Sequence, residues 1–136
     1  VLLISGWLIF AALAIHDAKS HLISRSLLLI LIGISLLSQG FITARILIGG
    51  VLIYSFYLAI YCLSKRALGY GDVRLAFSSF FLFHSSDLDI LKIHLIAWIM
   101  AFIWAVTKSG ERQVAFAPFL FTGGVVILSK KLAFLE

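Results

Sequence analysis

Two aspartates in this sequence stand where an ionisable side chain is expensive. Asp17 follows one long apolar run, and Asp72 stands at the head of another. An acid at the edge of a membrane-grade hydrophobic segment is a functional-site hypothesis by default, because its desolvation has to be offset by something. Two carboxylates brought to one place share a proton. One then acts as general base on a water, and the other as general acid on a carbonyl or leaving group. That is aspartyl-peptidase chemistry. It needs neither a metal nor a covalent intermediate, so no cofactor is expected. Asp72 closes the run Gly69-Tyr70-Gly71-Asp72. Gly69 and Gly71 carry no side chain, which leaves the backbone beside the acid open to close approach by another chain, such as a substrate.

The elements that must position these acids are set by composition. The chain has 136 residues, enough for a single domain over 1–136. It is 62% hydrophobic and 12% charged, with mean hydropathy +1.14. A soluble domain is about 45–50% apolar and about 25% charged. The expected fold class is therefore all-α: a polytopic membrane helix bundle of about six transmembrane spans. The apolar runs are Val1 to Ile15, Leu22 to Ser38, Phe41 to Leu63, Leu75 to Phe83, Ile93 to Thr107 and Val114 to Ser129. The fourth continues a helix begun near Asp72, and His84 to Lys92 reads as a polar loop. With the N-terminus outside, the inner loops hold Lys19, Arg25, Lys65, Arg66, Arg74, Lys108 and Arg112, seven of the eleven basic residues. That bias puts Asp17 and Asp72 at one depth, at the cytoplasmic ends of their spans. His16, Ser20, His21 and Ser64 lie at the same end and would admit water.

Helix ends also suggest how the two acids divide their work. Asp72 faces the positive end of its helix and Asp17 the negative end of its own. Asp72 is thus expected to be the base for water, and Asp17 the acid on the scissile carbonyl.

Blander readings apply to the other conspicuous residues. A single acid at a helix end is ordinarily a hydrated cap, and Asp87 and Asp89 read as a solvated outer loop. The four histidines are dispersed, with no i, i+4 pair, so no metal site is expected. The pairs Gly49-Gly50 and Gly123-Gly124 read as close helix contacts rather than a nucleotide loop. Trp98 and Trp104 read as packing residues or interfacial anchors. Cys62, the only cysteine, excludes an intramolecular disulfide and a cysteine-based zinc module. The net charge of +5 is accounted for by topology and anionic lipid headgroups, so no nucleic-acid partner is expected. The first residues lack a charged n-region and are not read as a cleavable signal.

Three stretches together resemble one family. Gly69-Tyr70-Gly71-Asp72-Val73-Arg74-Leu75 is similar to the GxGD-V-K/R-L signature of type IV prepilin peptidases. Asp17, followed six positions later by Ile23, resembles that family's first catalytic Asp with its downstream Ile-Pro-Asn, although Ser24 and Arg25 stand where Pro and Asn are usual. Ala117-Pro118-Phe119-Leu120, before Gly123, resembles its last-helix pattern. The resemblance implies a short-form membrane aspartyl endopeptidase with Asp17 and Asp72 as the dyad. Such an enzyme removes the short basic leader of a prepilin or pseudopilin at the cytoplasmic face of the inner membrane. The partners implied are that substrate's helix and membrane lipid. The larger members also N-methylate the new terminus with an extra N-terminal domain; no counterpart of it is in this sequence, so that activity is not carried over. Two further readings stand beside this one. One is a GxGD protease of another substrate class, similar to the preflagellin or signal-peptide-peptidase groups. The other is a non-enzymatic subunit of a pilus or secretion platform, or a small transporter, in which the acids pack or relay protons.

Overall fold

The computed structural model describes residues 2–63, 68–83, 87–107 and 114–133. It holds six helices in chain order: α1 Leu2–Ser20, α2 Arg25–Ser38, α3 Ala44–Leu63, α4 Tyr70–Phe83, α5 Asp87–Thr107 and α6 Ala117–Ala133. The described residues form an all-α bundle, as the composition predicts. The helix bounds differ from the apolar runs wherever backbone hydrogen bonding carries a helix through polar residues. In α1 the helix continues past Ile15 to Ser20. It ends where the His21 N–H donates to the Asp17 carbonyl at 2.8 Å and His21 turns left-handed, with φ 52°. Asp17 is therefore a residue of the last helical turn, not of a loop. In the same way α5 begins at Asp87, so the expected polar loop at His84 to Lys92 is replaced in part by the first turns of a helix that contain Asp89. His84, Ser64 and the basic residues Lys65, Arg66, Lys108 and Arg112 lie outside the described residues.

Much of the surface is apolar, and several polar side chains are inside. Leu8, Leu29, Leu52 and Phe102 are largely exposed, whereas Asp17, Ser35, Asp72, Ser78, Ser79 and His94 are buried. Helices with apolar residues on every side fit a hydrocarbon solvent, not water. Three helices, α1, α3 and α5, are long and apolar enough to cross a membrane, and α2 and α6 hold shorter apolar stretches. The 14 residues of α4 rise only about 21 Å, short of the roughly 30 Å hydrocarbon core. Nine of them are buried, against only Gly50 and Tyr57 in the 20 residues of α3. A helix shielded by protein need not match the bilayer.

Neighbouring helices are α3 with α4, α4 with α2, α2 with α1, α1 with α6, and α6 with α5. Small residues permit the closest of these approaches. A Cβ built on Gly123 would sit 2.7 Å from the Ile93 carbonyl oxygen of α5, and one on Gly50 would sit 2.7 Å from the Phe81 ring of α4. Both glycine pairs therefore serve helix contact, as their spacing suggests. Ser35 and Ser78 join their hydroxyls at 3.2 Å between α2 and α4. Trp98 packs its ring on Phe116, and Trp104 rests on Phe119.

Candidate active site

Asp17 and Asp72 line the same cavity, of about 470 Å³. They are 4% and 7% exposed, and Asp72 lies within electrostatic range of Asp17. Each is placed by a different local device. Asp72 is the third residue of α4. Its Oδ2 accepts the Gly69 N–H at 3.2 Å, and its own N–H donates to the Gly69 carbonyl at 3.1 Å, a reciprocal pair that starts the helix. Asp17 reaches across the bundle. Its Oδ2 accepts the N–H of Ala117, 100 positions away, at 3.1 Å. Ala117 is the first residue of α6, and that N–H has no partner within its own helix.

This arrangement removes the basis for the division of roles suggested above. Asp72 does stand at the positive end of its own helix. Asp17, however, stands at the C-terminal end of α1 and at the N-terminus of α6 at once, so its surroundings are not those of a helix C-terminus alone.

The glycines have neighbours within the chain. A Cβ on Gly69 would meet the Asp72 carboxylate at 3.0 Å, and one on Gly71 would meet Ile23 at 3.1 to 3.4 Å. What closes on the backbone at Gly71 is therefore the α1–α2 turn. Both glycines also line the cavity, where an incoming chain would pass. The polar residues near Asp17 divide in function. The His16 Nδ1 lies 2.7 Å from the Leu22 carbonyl, and a carbonyl only accepts, so Nδ1 carries the proton. Ser20 donates to the His16 carbonyl at 2.7 Å. These two side chains tie the turn together, and His21 is the one that lines the cavity. Arg25 and Arg74 stand at its rim. The Arg74 guanidinium lies 4.6 Å over the Tyr70 ring, and the Tyr70 hydroxyl meets that of Tyr54, on α3, at 3.0 Å.

Among the described residues no three His, Cys, Asp or Glu side chains gather where they could hold a metal ion. His94 is not part of any such group. It is 6% exposed inside the bundle and bonded to Tyr57. Sequence reasoning missed that pair because the two residues lie in separate apolar runs. It also missed the Ala117 N–H, since a backbone donor carries no residue-type signal. Comparison of the chain with models of known protein families, with curated proteins and with solved structures gives no match.

Proposed function

We propose that the protein is a multi-pass aspartyl endopeptidase of the cytoplasmic membrane that removes the basic leader of a prepilin-like substrate. The observation that carries this reading is the meeting of Asp17 and Asp72, from opposite ends of their respective helices, in one cavity. The chemistry follows from the pair. One carboxylate takes a proton from a water as the water's oxygen attacks the scissile carbonyl, and the other, protonated, hydrogen-bonds the carbonyl oxygen. Collapse of the tetrahedral intermediate sends a proton to the leaving amine and restores the shared proton. The resemblance in the three motif stretches supplies the substrate class. Residues from two of those stretches, Ile23 and Ala117, touch the groups around the dyad.

One observation favours a non-enzymatic role instead. Each acid already serves a helix N-terminus through its Oδ2, as a packing residue would. Incubating the purified protein in lipid with a prepilin-like substrate, and weighing the product by mass spectrometry, separates the two. The peptidase reading expects a single cut after the basic leader, lost in Asp17→Asn and in Asp72→Asn. Intact substrate with the unmodified protein, or unchanged cutting by either variant, would sink it.

A further inference from the structure

Behind the dyad lies a buried polar pair for which the peptide-cleavage chemistry has no use. The Tyr57 hydroxyl, on α3, and Nδ1 of His94, on α5, are 2.7 Å apart. Tyr57 is 0% exposed. An ionisable side chain kept inside a membrane bundle needs a reason, and an isolated tie between two helices would be served equally well by apolar packing.

Its surroundings supply the reason. The Tyr57, Trp98 and Phe116 rings form a triangle, with centroids 5.7 Å apart for Tyr57–Trp98, 5.8 Å for Tyr57–Phe116 and 5.1 Å for Trp98–Phe116. Such tilted and edge-on contacts hold rings in set orientations. Phe116 is buried at the head of α6, and its carbonyl accepts the Phe119 and Leu120 N–H groups that open the helix. The next residue is Ala117, whose N–H meets Asp17. The seat of the Phe116 ring therefore fixes where the first α6 amide points. Trp98 adds a buried Nε1–H beside the Tyr57 side chain, without a well-formed hydrogen bond among the described residues. The Tyr57–His94 bond, at 2.7 Å, is the short polar contact that ties the triangle to α5. Without it, the hydroxyl end of Tyr57 loses its anchor, the ring can tilt, and the Phe116 seat loosens.

We infer that Tyr57 and His94 are positioning residues for the dyad: bonded to each other inside the bundle, they seat Phe116 and through it aim the Ala117 N–H at Asp17. The inference rests on the peptidase reading for its catalytic consequence but not for its structural one. A shift of about 1 Å in a catalytic group costs up to roughly 100-fold in rate.

The experiment uses the full chain in lipid nanodiscs and the variants Tyr57→Phe, His94→Leu and His94→Gln. Gln keeps a group that can bond the Tyr57 hydroxyl; Leu does not. Two quantities are measured: kcat and KM on a prepilin-like substrate, and hydrogen–deuterium exchange over Val114 to Leu120. In Tyr57→Phe and His94→Leu, kcat should fall about tenfold with KM within about twofold, and exchange over that stretch should speed up about tenfold while α1 and α2 keep their protection. His94→Gln should recover most of both. Loss of kcat without faster exchange at the head of α6 overturns the inference, as does faster exchange with kcat unchanged. Equal loss of protection in every helix also overturns it, because the pair would then be a general stability element. If the unmodified protein cuts no prepilin-like substrate, the peptidase reading fails, and the exchange arm still decides whether the pair seats α6.

Discussion

Substitution at Gly71 tests how tightly the site is built. A methyl group there would lie 3.1 Å from Cβ, 3.2 Å from Cδ1 and 3.4 Å from Cγ1 of Ile23. Carbon atoms rest at about 3.5–4.0 Å, so Ile23 must retreat by a few tenths of an ångström. Overpacking of this kind costs about 1–3 kcal/mol. Against that, exchanging Gly for Ala inside a helix gains about 1 kcal/mol, so Gly71→Ala should be destabilising by only about 0–2 kcal/mol. Valine adds two more carbons in the same crowded space and should fall at or beyond the upper end. Activity should suffer more than stability. Ile23 lines the cavity, in the turn between the helix that carries Asp17 and α2, so its retreat moves the cavity wall. A loss of cleavage of about tenfold or more is expected for Gly71→Val, equivalent to about 1.4 kcal/mol on the barrier, with Tyr70→Phe milder. Trimming the opposing side chain with Ile23→Ala should recover part of the Gly71→Ala loss, and a double-mutant cycle on initial rates reads that coupling directly. Wild-type cleavage by Gly71→Val, or no coupling between the two positions, would refute the contact argument.

Other outcomes follow from named contacts. Asp17→Asn and Asp72→Asn should each abolish cleavage while the protein still inserts, whereas Asp89→Asn, in the first turn of α5, should leave it nearly unchanged; product mass and membrane flotation check both halves. Ala117→Pro deletes one N–H at a position where proline is tolerated, the first of a helix. A hydrogen bond to a charged acceptor contributes about 1.5–3 kcal/mol, so the cleavage rate should drop by about ten- to 100-fold, while Ala117→Ser, which keeps the N–H, should not. Gly123→Ala would set a Cβ 2.7 Å from a backbone oxygen of α5, which cannot yield unless the helix moves. It should destabilise the bundle by about 1–3 kcal/mol, read as a lower midpoint of detergent unfolding, and unchanged unfolding would mean that α5 and α6 do not pack as described.

The sequence by itself determined what is set by residue type and local order. Its apolarity called for helices in a hydrocarbon solvent, and the described residues form six helices. Its glycine pairs marked close packing, and Gly123 and Gly50 meet Ile93 and Phe81. The sequence also singled out Asp17 and Asp72 as acids in costly places. Tertiary structure decided the rest, because helices apolar on every side carry no signal for which faces meet. Nothing in the run from Tyr70 to Phe83 says that this short helix is the most enclosed of the six. Nothing near Asp17 says that its carboxylate takes an amide 100 positions away. Tyr57 is one of three tyrosines in its apolar run and His94 stands in another run, and only the approach of α3 to α5 makes them a pair. The apolar runs stop short of the helix ends at Ser20 and at Asp87 for a related reason. A loss of hydrophobicity marks where the lipid ends, whereas backbone hydrogen bonding decides where the helix does.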